Sequence, residues 1–285
     1  MPSRIYLVLF LALVSVSSTS LVIRHVSLVP ALTLAFWRMF TAGVILWVFS
    51  AKKPQGLIKK ENRMRIVFAG FFLGLHFALF FIGVRNTSVA SATLLANTGP
   101  LFTATLSWFS GQKMSRAVFI GLVIAVVGVV VVQGSEVGDG NDSTRGNILS
   151  LLSGFCIAVT YMFASKVREN TDNSIYGRSV FLVASITIAI IVFISDGALL
   201  SFEKVDIPWF LFLGVVPSIL GHNMLNYSIK YLSPTAVASV PLGEPIIASI
   251  LGYLLFLESV PPGAIYGGPF IFVGLALIIK NSVKN

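Results

Sequence analysis

The chain reads as an all-α membrane protein of ten transmembrane helices arranged as two inverted five-helix repeats, with both termini cytoplasmic. Three observations lead there: an apolar, charge-poor composition, long apolar runs along the whole length, and an internal similarity between the two halves. Apolar residues make up 56% of the chain, charged residues only 11%, and the mean hydropathy is +0.90. A soluble domain carries roughly a quarter charged residues, so this chain cannot cover a surface facing water. Its apolar runs repeatedly reach the ~18 residues needed to cross a hydrocarbon core.

Hydropathy places the spans at 5–23, 31–50, 66–84, 89–109, 116–133, 147–165, 177–195, 208–228, 235–257 and 262–279. The first follows Met1-Pro2-Ser3-Arg4 as a signal peptide would. It is too long for an h-region and lacks a small-x-small cleavage site, so a retained helix is expected. Most connections are very short, which makes neighbours antiparallel. Two are longer: a basic one from Ala51 to Arg65 and an acidic, polar one from Gln133 to Gly146. No stretch leaves room for a soluble catalytic domain.

Lysine and arginine counts orient the spans. With the amino terminus inside, the inner segments hold fifteen: Arg4, Lys52, Lys53, Lys59, Lys60, Arg63, Arg65, Lys113, Arg116, Lys166, Arg168, Arg178, Lys230, Lys280 and Lys284. The outer loops hold Arg24, Arg85, Arg145 and Lys204. The net charge of +9 is thus a topology signal rather than a nucleic-acid footprint. The one cysteine, Cys156, lies in an apolar run, and no CxxC occurs, which removes disulfide and zinc frameworks.

The halves are similar at an offset of about 145 residues. Val84 onward (VRNTSVASATLLANTGPLFTATLSW) then lies on Ile229 onward (IKYLSPTAVASVPLGEPIIASILGY), with Pro100 on Pro245, Arg85 on Lys230 and Ser88 on Ser233. A one-residue slip puts Gly121 on Gly267, Gly128 on Gly274 and His76 on His222. The repeats are read as residues 1–137 and 143–285. An odd number of helices per repeat inverts the second one. That arrangement typifies secondary carriers, whose substrate site lies between repeats at mid-membrane.

The same segments resemble the EamA family of the drug/metabolite transporter superfamily. The matching features are the Tyr231-Leu232 step before a small-residue helix, the Leu242-Gly243-Glu244-Pro245 turn and Glu258 after it, and the spaced Gly267 and Gly274. The first half carries the paired Leu95-Ala96-Asn97-Thr98-Gly99-Pro100 and an arginine, Arg38, in the second helix. Gly111-Gln112-Lys113 departs from the Gly-Glu pair of many members. The resemblance implies a ten-helix carrier of small metabolites, often an amino-acid exporter, and leaves the substrate open.

Several residues are candidates for the transport site. Asn97 to Pro100 and Pro241 to Pro245 each fall near the membrane centre. Proline removes a backbone donor and clashes with the preceding turn, so Pro100, Pro241 and Pro245 are expected helix breaks. Freed carbonyls at that depth need protein or a water-filled cavity beside them. Glu244 is the one acidic residue well inside a span. A carboxylate there must be paired, hydrated or protonated, which leaves two roles open: proton coupling, or bonding the backbone freed by the prolines. His76 and His222 are repeat-related and are read either as cavity-lining, coupling residues or as hydrogen-bonded core histidines. Arg38 either snorkels or anchors an anionic group, with Trp37 stacking on the same substrate. Phe77, Phe80, Tyr161 and Tyr227, with Asn97, complete the expected substrate-binding set; Phe36 and Phe81 accompany them. Small residues on helix five (Ala117, Gly121, Ala125, Gly128) and helix ten (Ala264, Gly268) mark a scaffold or dimer face.

The expected function is a secondary transporter that exports small metabolites such as amino acids by alternating access, with proton coupling as one option. A facilitative channel-like pathway and a nucleotide-sugar or drug carrier of the same superfamily are the alternatives. An intramembrane enzyme would need paired Asp, Ser with a Lys or His base, or HExxH. None is present. No metal or other cofactor is expected; the partners are a small-molecule substrate and the lipid bilayer, not nucleic acid. The protein is expected in the cell membrane as a monomer or homodimer.

Overall fold

The computed structural model describes residues 4–51, 58–112, 114–134, 143–195, 197–257, 260 and 262–283. Glu258, Lys52, Lys53, Lys113, Lys284 and the boundary at 137 lie outside the described residues.

Among the described residues, nine helical stretches are individually long and apolar enough to cross a membrane. They are built from α1 (Arg4–His25), α2 (Ala31–Ala51), α3 (Lys60–Asn86), α6 (Arg116–Gln133), α7 (Thr144–Val167), α8 (Asn173–Ile194), the stretch Lys204–Ser228, the stretch Pro234–Leu251 and α13 (Pro262–Lys280). The tenth expected span is a helix in two pieces, α4 (Val89–Ala96) and α5 (Gly99–Phe109), each too short to cross alone. No strand forms among the described residues; Leu232 and Val283 make one isolated antiparallel bridge.

Local chemistry sets the ends. Ser88, Ser115, Ser143 and Ser233 sit in extended backbone and accept from the N–H three residues on, capping α4, α6, α7 and α11 (Pro234–Ser239). Ser88 and Ser233 are the pair that the internal similarity aligns. The outward faces are apolar, with Phe10, Phe49, Phe193 and Ile194 exposed as lipid-facing side chains. Trp47 and Trp108 are exposed near helix ends, where belt tryptophans belong, whereas Trp209 packs on His25 with ring centroids 4.9 Å apart.

Two helices depart from α geometry. The eighth span runs through α9 (Ile207–Leu213), a π-helical segment Gly214–His222 containing Pro217, and α10 (Asn223–Ser228). The ninth runs from α11 through a 3₁₀ turn, Val240–Gly243, into α12 (Glu244–Phe256). Pro100, Pro241 and Pro245 all stand at the starts of helical pieces, where a missing N–H costs nothing.

Packing joins the two halves at every level. α6 lies along α13, α3 along α7 and α8, α2 along α8, and α1 against both the π-helical segment and α12. The α6–α13 contact is the closest. A Cβ on Gly121 would stand 2.8 Å from the Gly274 carbonyl oxygen, and one on Gly128 would stand 2.8 Å from that of Gly267. The small-residue ridge is therefore an internal scaffold. On α13 its close-approach members are Gly267 and Gly274; Gly268 faces Ile246 instead.

Candidate functional site

Where the two helix breaks meet, backbone acceptors have lost their donors. In α register the Pro241 carbonyl would accept from residue 245, but Pro245 has no N–H. The turn tightens to 3₁₀ there, so the Glu244 N–H donates to that oxygen instead, and the side chain of Asn97, at the C-terminal end of α4, adds a second donor: its Nδ2 lies 3.1 Å from the Pro241 oxygen. On the other break, the Ala96 carbonyl loses the N–H of Pro100 in the same way. There α7 comes close, because Gly154 has no side chain; a Cβ would stand 2.8 Å from that oxygen. One break thus leans on the other through an amide, and a glycine of α7 opens room beside the Pro100 break.

Around this junction lies a cavity of about 50 Å³, lined by Arg38, His76, Phe77, Phe80, Asn97, Pro100, Tyr161, His222, Pro241 and Glu244, with Val16, Thr19, Ala96, Gly99, Ile157 and Ala238. It draws polar side chains from α1, α2, α3, α7 and both broken helices. Several side chains expected in the site are therefore brought together.

Arg38 is fully buried, at 0% exposure. Its Nε donates to Ser218 Oγ at 2.9 Å, its Nη1 to Thr19 Oγ1 at 3.4 Å, and its guanidinium carbon stands 4.2 Å above the Phe77 ring. Among the described residues Nη2 has no hydrogen-bond partner, and neither has the buried Tyr161 hydroxyl. Glu244 opens α12 and accepts no hydrogen bond among the described residues, where the one ion pair within 4 Å is Lys166–Glu169. Arg38 and Glu244 thus share a cavity without pairing directly.

His76 is both hydrogen-bonded and part of the cavity wall. The Ser153 Oγ and carbonyl oxygen lie 2.8 and 3.0 Å from Nδ1, which fixes the ring while it lines the cavity. His222 has no hydrogen bond there. Its ring packs edge-on to Phe77 at 5.1 Å and lies 6.2 Å from His76.

Three expected site residues are elsewhere. Trp37 points away from Arg38, because adjacent helical residues are 100° apart. Its Nε1 donates to the Leu199 oxygen at 2.8 Å, and its ring stacks on Phe210 at 5.8 Å among Phe36, Phe40 and Phe202. Tyr227 stands five residues beyond His222, against Tyr231, with hydroxyls 3.5 Å apart. Pro245 shapes the break from outside the lining. Two contributors were missed: Thr19, which lines the cavity, and Ser218, which holds Arg38 from outside the lining. The polar run Ser17-Ser18-Thr19-Ser20 inside an apolar helix was the signal for the first, and Pro217 next to a serine for the second.

Comparison with known proteins agrees with this architecture. The model of the EamA-like transporter family matches residues 3–133 and again 144–280. An uncharacterized transporter of Archaeoglobus fulgidus is 23% identical over 94% of this chain and 93% of its own length. The threonine/homoserine exporter RhtA of Salmonella typhimurium is 28% identical over 89% of this chain and 83% of its own. A solved crystal structure with 14% identity superposes with a TM-score of 0.82, covering 99% of this chain and 98% of the other.

Proposed function

Because the chain belongs to the EamA-like transporter family, we propose that it exports amino acids or similar small amphipathic metabolites through the cell membrane, by alternating access around the central cavity. The observation that carries this reading is the cavity itself, which sets a buried cation, Arg38, and an unpaired carboxylate, Glu244, among Phe77, Phe80 and Tyr161. A zwitterion has one group for each charge and an apolar body for the rings. The relative named as a threonine/homoserine exporter supports that substrate class.

Cavity size supports movement. At about 50 Å³ the space holds a few waters, far below the roughly 300 Å³ at which ligand sites begin. The structure is a contracted state, and admitting a solute requires the helices to part.

The inverted repeat is supported by the glycine contacts. Gly121 meets Gly274 and Gly128 meets Gly267, so α6 and α13 run antiparallel. Exchanging each glycine for the one aligned with it in the other half turns the first contact into the second. A two-fold axis in the membrane plane does this. The Lys and Arg bias would put both ends of the chain, and the end carrying Arg168, in the cytoplasm. Glu244 is then the coupling group of a proton-driven exporter.

The test is a thermal-shift panel of metabolites on detergent-purified protein, since a solute that binds the folded state raises its melting temperature by mass action. Threonine, homoserine or another amino acid should stabilise the protein in a dose-dependent way. Stabilisation by nucleotide sugars or organic cations alone would replace this substrate class.

A further inference from the structure

Pro217 creates an unusual opportunity in the eighth span. Having no N–H, it cannot donate to the Leu213 carbonyl, the acceptor it would reach in α register. The π register turns the next residue, Ser218, toward that carbonyl, and its hydroxyl donates there at 2.8 Å. A hydroxyl has one hydrogen to give, so with that hydrogen committed, Ser218 Oγ can only accept. The donor it accepts from is Arg38 Nε, 2.9 Å away and 180 residues distant in sequence. Both residues are at 0% exposure, so no water competes for either bond.

We propose that Ser218 is the positioning residue for Arg38 and that the Nη2 it leaves free docks a carboxylate of the transported solute; this rests on the amino-acid reading above. With Nε tied to Ser218 and Nη1 to Thr19, and the guanidinium plane resting on Phe77, the group cannot turn about its stem. What remains uncommitted is the end-on fork formed by Nη2 and the second hydrogen of Nη1. Carboxylates pair with guanidinium in that bidentate way. A buried guanidinium without an anion is costly, and Glu244 is not in contact with it. The Tyr161 hydroxyl, also buried and unpartnered, stands in the same cavity as a further donor. The π-helical segment therefore serves binding: it turns a proline-freed acceptor into a clamp that aims a charge.

Calorimetric titration of the detergent-purified full-length protein tests this with three probes: L-threonine, its uncharged-end analogue L-threoninamide, and 3-hydroxybutyrate, which keeps the carboxylate and lacks the ammonium. Wild type should bind threonine and 3-hydroxybutyrate at least about tenfold tighter than threoninamide. Ser218→Ala should weaken the two carboxylates about tenfold, the usual scale for one hydrogen bond to a charged group, and leave threoninamide within about twofold. Ser218→Thr, which keeps the hydroxyl, should restore carboxylate binding. Equal loss of all three probes in Ser218→Ala, or no loss, overturns the positioning role even if the threonine variant does not fold. Wild type binding threonine and threoninamide equally overturns the carboxylate dock while leaving amino-acid transport standing. Binding of 3-hydroxybutyrate without threonine supports the dock and removes the amino-acid reading; no binding of any probe overturns both.

Discussion

At the scale of single residues, the two histidines differ in how they are held while their rings share one cavity. His76 is held at Nδ1 by Ser153, yet its ring forms part of the cavity wall. We expect His76→Ala to cut transport by more than it cuts protein abundance and to alter its pH dependence. Radiolabelled efflux normalised to membrane protein checks this; losses of equal size would leave His76 a packing residue. His222 is the histidine aligned with it in the second half. Its ring lies in the same cavity, 6.2 Å from His76, so His222→Ala should impair transport to a similar degree.

At the scale of elements, the broken helices depend on a bond that ties them to each other. Asn97 and the Glu244 N–H both donate to the Pro241 carbonyl, so Asn97→Ala removes the one of these bonds that joins the two broken helices, at a cost of about 0.5–1.5 kcal/mol. Thermal unfolding in detergent should show a lowered midpoint, whereas Glu244→Gln should leave it unchanged. The pair of variants tests the two roles the sequence left open for Glu244: a lowered midpoint in Glu244→Gln would make its side chain a kink-holding group.

The spans and both breaks were legible because hydrophobic length and proline act locally. The α6–α13 glycines were legible through the internal similarity, although their contacts were not. What stayed hidden depends on rotation about a helix axis. Trp37 was read beside Arg38 because the two are adjacent in sequence, and a helix turns adjacent residues to different faces. Tyr227 was hidden for a related reason, since its depth follows from where the π-helical segment ends. Ser218 was marked only by its place beside Pro217, because its contact with Arg38 arises only when α2 packs against the π-helical segment.

At the scale of the whole molecule, two halves of one chain meet at a cavity, with Arg38 supplied by the first and Glu244 by the second. In the mechanism we propose, the same groups would face either side in turn, with solute and proton taking the places of pairing partners for the two charges. The central claim is that Glu244 couples movement of the solute to movement of a proton. Glutamine keeps the shape of that side chain and cannot release a proton. Efflux of labelled threonine from proteoliposomes, with and without an imposed proton gradient, measures the coupling directly. The account predicts that the gradient accelerates efflux through wild type, while Glu244→Gln still binds and exchanges threonine but shows no acceleration. Gradient-driven efflux through Glu244→Gln at the wild-type rate would contradict it.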